Sequence, residues 1–349
     1  MNKRVRVLVI DDSAYNRRTI TKMLEEISGV EVIGYACDGE EGLRKAIDLQ
    51  PDLITLDLEM PRMDGFTFLR IIMQNRPTPI IVVSARSDDQ NVFRALEFGA
   101  VEFVAKPTAR ISPELLKIRA DLENKVLSIA GADMTKVLRR KTTGAPLPLP
   151  ALPSRHDKSG IYQVVIGSST GGPPALQTIF SAIQQPLEVG FAVSQHMPSG
   201  FTRAFADRLN RFTALEISEA RDGDVMAPGR VLIAPGGHNL RFRRRGADVR
   251  VEVVEPETGQ RYVPSVDVMF RSAAEVFGPH LLGVVLTGMG NDGAQGVVRV
   301  KEQGGKVIAE AEESSVVFGM PKEAIATGKV DKVVALPGVC EEILRFCGY

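Results

Sequence analysis

The chain is 349 residues long, with 43 basic and 43 acidic side chains, 44% hydrophobic content and no tryptophan. That length exceeds one ordinary hydrophobic core, so two domains are expected. The composition excludes a disordered chain, and zero net charge offers no footprint for nucleic acid or an anionic membrane surface. No apolar run approaches the roughly 20 residues of a membrane helix. The opening Met1-Asn2-Lys3-Arg4 leads straight into a strand-like run, which does not fit a signal peptide. Cys37, Cys340 and Cys347 lack metal-ligand spacing and suggest a reducing cytoplasm.

Short apolar runs at 5–10, 30–36, 53–56, 80–84 and 101–104 alternate with helix-period segments. Ile20, Met23, Leu24 and Ile27 fall on one stripe, and Leu43, Ala46 and Ile47 on another. A fifth helix starts near Pro113 and carries Leu115, Ile118, Leu122, Val126 and Ile129 on one side. Five strands alternating with five helices predict a parallel sheet covered on both faces. Periodicity then stops. Residues 127–160 are rich in proline and hold six basic and two acidic residues, the composition of a semi-extended linker.

A second α/β pattern follows. Strand-like runs are 162–166, 189–194, 231–234, 249–254, 281–286, 306–309 and 332–336, with helices expected over 173–184, 201–209, 266–277 and 294–303. The turn-rich stretch 212–262 leaves room for an antiparallel excursion, and Arg241-Phe242-Arg243-Arg244-Arg245 reads as a solvated turn. The expected domains are 1–126, a linker 127–160, and 161–349. Both are doubly wound α/β folds, the first five-stranded and flavodoxin-like, the second larger and Rossmann-like.

In a parallel sheet the carboxyl ends of the strands share one edge, where ligands collect. In the first domain that edge carries Asp11 and Asp12, Asp57, Ser84, and Lys106-Pro107. Singly, each is an ordinary cap or turn residue; four strand ends in turn carrying such groups is another matter. The carboxylates repel one another unless a cation sits among them, and oxygen ligands suit Mg²⁺. Lys106 and the Ser84 hydroxyl suit phosphoryl oxygens, and Asp57, alone at its strand end, is the better nucleophile for an aspartyl phosphate. With Leu56-Asp57-Leu58-Glu59-Met60-Pro61, Ser84-Ala85 and Lys106-Pro107, this half resembles the receiver domain of two-component response regulators. The resemblance implies Asp57 as phosphoacceptor for a histidine kinase. It implies Mg²⁺ held by Asp12, Asp57 and the Glu59 carbonyl beside Asp11, and Phe103 at the switch aromatic position.

Three polar turns mark the second domain. They are Gly167-Ser168-Ser169-Thr170-Gly171-Gly172-Pro173, Gln195-His196-Met197-Pro198, and Thr287-Gly288-Met289-Gly290-Asn291-Asp292-Gly293. If their strands are parallel, a nucleophile, a base and an orienting carboxylate meet at one edge. Ser169 lies just ahead of a helix that Pro173 opens, and the free N–H groups of that helix can stabilise negative charge. Ser168, Ser169 and Thr170 are equally turn residues by type, and His238 in Pro235-Gly236-Gly237-His238 is a rival base. Asp292 also suits the cap of the helix near Ala294. His156 lies in the linker and His280 precedes a strand. Gly288, Gly290 and Gly293 match a dinucleotide fingerprint, with Glu310 or Glu312 near the ribose distance, but Asp292 would then repel the pyrophosphate.

These turns, with Ile233-Ala234-Pro235-Gly236-Gly237-His238, resemble the catalytic domain of the CheB family of chemotaxis protein-glutamate methylesterases. The resemblance covers nearly the whole chain. It implies Ser169 as nucleophile, His196 as base, Asp292 as orienter, the Met289 N–H in the oxyanion hole and Thr170 beside the nucleophile. Ser168 departs from the alanine of many relatives. The expected function is phosphorylation-activated hydrolysis of glutamate γ-methyl esters on chemoreceptors, with receptor glutamine deamidation by the same acyl chemistry. No cofactor is expected for the esterase step. Other classes are a signalling or scaffold module with a silent esterase half, and a DNA-binding regulator.

Overall fold

A computed structural model describes residues 4–84, 89–106, 113–129, 134 and 160–349. Most of the expected linker, with His156, Ala85 and Pro107, lies outside the described residues. The chain divides into two compact units, Met1–Thr142 and Thr143–Tyr349.

In the first unit five strands are β1 (Val5–Ile10), β2 (Val30–Ala36), β3 (Leu53–Asp57), β4 (Ile80–Ser84) and β5 (Glu102–Ala105). They pair in parallel in the order β2-β1-β3-β4-β5. Helices are α1 (Ala14–Glu25), α2 (Gly39–Leu49), α3 (Gly65–Asn75), α4 (Asp89–Glu97) and α5 (Pro113–Ile129). Strands β3 and β4 are buried at every residue, which is why they read as continuous apolar runs rather than alternating ones. Side-chain carboxylates at Asp38 and Asp64 accept from the free N–H groups of the helices that follow them. One expectation fails here. Ile47 is 55% exposed, whereas Ala46 is buried. The eleven-residue helix α2 turns a narrow stripe inward, and Ile47 falls outside it.

The second unit holds a seven-stranded sheet, parallel at every pairing. In chain order its strands are β6 (Gln163–Ser168), β7 (Gly190–Gln195), β8 (Glu216–Glu219), β9 (Arg230–Ile233), β12 (Leu281–Val285), β13 (Lys306–Glu310) and β14 (Lys332–Val334). Their order across the sheet is β14-β13-β12-β6-β7-β9-β8. Helices α6 (Gly172–Ser181), α7 (Thr202–Leu209), α8 (Val266–Phe277), α9 (Ala294–Glu302), α10 (Met320–Ala326) and α11 (Leu336–Phe346) complete the unit. On α8, Val266, Met269, Phe270, Ala273, Ala274 and Phe277 form one buried face. Each large side chain there contributes about 1.5–3 kcal/mol by leaving water.

The antiparallel excursion is a separate hairpin, β10 (Asn239–Arg245) with β11 (Asp248–Val254). The arginine run is therefore a strand and not a turn. Leu240 and Phe242 are buried while Arg241 and Arg243 are exposed, so a period of two underlies the charges. Phe242 meets Phe277 edge-on at 5.5 Å, and its N–H donates to Ser272 Oγ at 3.2 Å. Among the described residues no helix is long and apolar enough to cross a membrane.

Candidate active site and receiver site

In each sheet the strand order reverses at one point, and a crevice opens beyond the carboxyl ends there. In the first unit that point lies between β1 and β3. Ile10 pairs with Leu56, so the next residues, Asp11 and Asp57, emerge side by side. Oxygens of Asp11, Asp12 and Asp57 lie within 4.8 Å of one another. Lys106 Nζ donates to Asp57 Oδ2 at 2.8 Å. Ser84 pairs with Ala105 across the ladder and is buried. Its carbonyl accepts from the Lys106 N–H at 2.7 Å. The Glu59 N–H donates to Asp57 Oδ1 at 3.3 Å. Phe103 is buried against Phe93, with its carbonyl held by Lys125 Nζ at 2.6 Å.

Burial, then the nearby Asp57 charge, pushes the Asp11 carboxyl up to about 6. Burial also raises Asp57, against the lowering pull of Lys106. Asp11 Oδ2 is buried with no hydrogen-bond partner among the described residues. Crowded carboxylates with an orphaned oxygen fit a divalent cation, and hard oxygen donors fit Mg²⁺.

A group raised from 3.8 to about 6 contributes stability that is complete below pH 3.8 and is lost as pH rises through about 6. Asp11→Asn is therefore expected to raise the Tm of metal-free protein at pH 8 and to show no Tm gain on addition of Mg²⁺, where the parent is expected to show one. Thermal melts with and without Mg²⁺ check this; a lower metal-free Tm together with an intact Mg²⁺ response contradicts it.

In the second unit the reversal lies between β6 and β12. Val285 pairs with Gly167 and Ser168 with Gln195, so the three turns leave the sheet at adjacent places. Backbone bonds stitch them together. The Ser169 N–H donates to Thr287 O at 3.0 Å, and the His196 N–H to Ser168 O at 3.0 Å. Gln195 Nε2 donates at 3.0 Å to both Ser169 O and His196 O. Gly288 must lack a side chain, because a Cβ there would come within 2.6 Å of Ser169 Cβ.

The two adjacent serines differ in environment. Ser168 is fully buried and donates to Gln195 Oε1 at 2.6 Å. Ser169 is partly exposed, and its hydroxyl is not hydrogen-bonded among the described residues. Thr170 is buried, and its carbonyl accepts from Thr287 Oγ1 at 2.9 Å. The backbone N–H groups of Thr170 and Met289 donate to no acceptor among the described residues.

His196 Nε2 lies 2.8 Å from Asp292 Oδ2. That same oxygen accepts from the Val266 N–H at 2.7 Å, while Oδ1 accepts from Ser265 Oγ at 3.0 Å and the Asp267 N–H at 2.9 Å. Asp292 thus sits on the N-terminus of α8 and not on that of α9. Asp267 takes the α9 position, accepting from the Gly293 and Gly296 N–H groups. Burial pushes the Asp292 carboxyl up, but the His196 bond and the α8 N–H groups outweigh it and hold it below its ordinary value. An ionised carboxylate only accepts, so His196 Nε2 carries the proton of this bond and Nδ1 is the ring nitrogen left for other partners. Tyr262 stacks on the His196 ring at 5.0 Å.

Reading of the sequence missed Tyr262, Ser265, Asp267 and Gln195 as contributors to this site. A glutamine between an apolar run and the histidine was the one signal available. The rival groups are elsewhere occupied. His238 bonds Glu255 at 3.1 Å on the surface. His280 stacks on Tyr162 at 4.8 Å. Glu310 is buried and accepts from the Thr287 N–H at 2.8 Å, where it braces the turn.

A family model for CheB methylesterase matches residues 164–343, and one for the response regulator receiver domain matches residues 7–117. The protein-glutamate methylesterase/protein-glutamine glutaminase 3 of Geobacter sulfurreducens is 58% identical over 99% of this chain and 98% of its own length. The corresponding protein 1 of Myxococcus xanthus is 47% identical over 95% of this chain and 94% of its own. The crystal structure of the Thermotoga maritima CheB methylesterase catalytic domain is 39% identical, covers 53% of this chain and 98% of its own, and superposes with a TM-score of 0.52.

Proposed function

Because the chain belongs to the CheB methylesterase family and carries a receiver domain ahead of the catalytic one, we propose that it is a phosphorylation-activated protein-glutamate methylesterase of chemoreceptors. The observation that carries the catalytic reading is the Asp292–His196 pair at the same sheet edge as an accessible Ser169 hydroxyl.

Ser169 Oγ attacks the carbonyl carbon of a glutamyl γ-methyl ester. His196 takes the hydroxyl proton on Nδ1, since Nε2 is committed to Asp292. The oxyanion that forms lies within reach of free backbone donors, Met289 foremost and Thr170 beside it, and such donors are worth about 2.7–4 kcal/mol each in related chemistry. His196 returns the proton to the departing methoxide, and methanol leaves. Water then attacks the acyl-enzyme with His196 again as base, Ser169 regains its proton, and glutamate is released. An amide in place of the ester gives ammonia and the same glutamate, which is glutamine deamidation.

In the receiver, Asp57 accepts the phosphoryl group from a histidine kinase, and Lys106 and the Ser84 hydroxyl bind the new phosphoryl oxygens. Asp11, Asp12, Asp57 and the Glu59 carbonyl would hold Mg²⁺. When bound, that ion neutralises charge between the carboxylates and the incoming phosphate. Phe103 is the residue placed to report the change. Three free cysteines accord with the cytoplasm, where receptor tails and kinase are reached without crossing a membrane.

The purified protein is expected to release methanol from a methylated receptor preparation, and faster with a small phosphodonor and Mg²⁺. Absence of methanol under both conditions overturns the reading.

A further inference from the structure

The ester that reacts at Ser169 is neutral, so the catalytic turns have no charge on the substrate to grip. Discrimination between one protein side chain and another must come from its surroundings. The hairpin β10–β11 takes no part in the catalytic sheet, yet it forms one wall of an open cleft of about 630 Å³ whose lining includes Tyr262 and Asp292. Helix α8 and the segment 257–262 form the other walls. The cleft therefore reaches the tyrosine that stacks on His196.

Arg241, Arg243, Arg261 and Arg271 line it, together with Glu252, Glu257 and Glu275. Most of these acids are already matched. Glu252 pairs with Arg243 and Arg245, and Glu275 pairs with Arg299. Asp267 and Asp292, also in the lining, are tied to helix N-termini. Three arginines make no ion pair among the described residues. Arg241 has no acidic partner among the described residues, Arg261 lies over the Tyr262 ring at 5.1 Å, and Arg271 donates to the neutral amide of Gln295. The acids that face these three guanidinium groups are Glu257 and Asp267, the latter attracted by Arg271 while held on the N-terminus of α9. Guanidinium stays charged at every working pH and binds carboxylates two-pronged.

We propose that this cleft binds carboxylate side chains flanking the scissile glutamyl ester, so that the enzyme selects esters set in an acidic protein segment. The proposal rests on the esterase reading. Each guanidinium gains a carboxylate partner, and the reacting side chain is thereby delivered past Tyr262 to Ser169.

The test uses the full chain and two synthetic peptides with the same central glutamyl γ-methyl ester, one flanked by Glu and the other by Gln. At low ionic strength the Glu-flanked peptide is expected to have about a tenfold lower KM, equivalent to about 1.4 kcal/mol. Added salt should shrink the difference. In the R241E/R271E variant the KM ratio between the peptides should fall to about one or invert, and R241Q/R271Q should lie between. Equal KM values in the parent, or a preference that survives R241E/R271E, overturn the proposal while leaving the esterase intact. Failure of the parent to hydrolyse either peptide overturns the esterase reading and this one with it.

Discussion

Ser169→Ala is expected to lower methanol release by several powers of ten, on the order of 10⁵–10⁶, as loss of a nucleophile does where triad members act as a unit. Ser168→Ala, one residue away, should stay within about tenfold of the parent. The difference follows from placement. The Ser168 hydroxyl is buried and spent on Gln195 Oε1, and Gln195 in turn holds the Ser169 and His196 carbonyls. Losing that hydroxyl leaves a buried amide oxygen unpaired, at a stability cost of about 1–3 kcal/mol, and loosens the turn without removing the nucleophile. The two variants should therefore separate cleanly. Ser169→Ala loses kcat and keeps its Tm, and Ser168→Ala loses Tm and keeps most of its kcat. The reverse result would make Ser168 the nucleophile.

The second large effect is regulatory. Suppose the unphosphorylated receiver holds the balance of inactive to active molecules at 99:1. Phosphorylation that inverts it raises the rate about 100-fold and needs about 5.5 kcal/mol of differential stabilisation between the two states. Asp57→Asn should abolish stimulation by phosphodonor and Mg²⁺ while leaving the basal rate measurable. The fragment 161–349 contains every strand of the catalytic sheet and both reciprocal helix caps, so it is expected to fold alone. It should be more active than the unphosphorylated whole. Equal rates for fragment and whole chain rule out restraint by the receiver.

The parallel sheets were readable because buried strands are apolar at every position and break at polar residues on one edge. Asp57, Ser84 and Lys106, and likewise Ser169 and His196, sit at a strand end or one position past it, so local pattern alone marks them, whereas Asp292 lies seven positions past the end of β12 and is marked only by its glycine-rich turn. Strand β8 was not readable, since Glu216–Glu219 is a short edge strand with one buried residue. Strand β10 was hidden by four arginines whose outward alternation resembles a solvated run. Helix α11 begins at Leu336, where an apolar run had suggested that a strand continued. The supporting residues of the triad were hidden for a different reason. Asp267 and Ser265 reach Asp292 from 25 and 27 positions away, and Tyr262 reaches His196 through ring stacking. Such contacts depend on how α8 docks, and no spacing rule encodes that.

The crosswise exchange of Asp292 and Asp267 between two helix ends has a consequence for how the enzyme handles protons. Asp292 receives two donors on each oxygen, so neither oxygen has room for a proton of its own. In the proposed reaction the proton taken from Ser169 would therefore reside on His196 and go no further. The carboxylate itself is wired into the architecture, so the unit cannot lose this orienting charge without also uncapping the helix that walls its own substrate cleft.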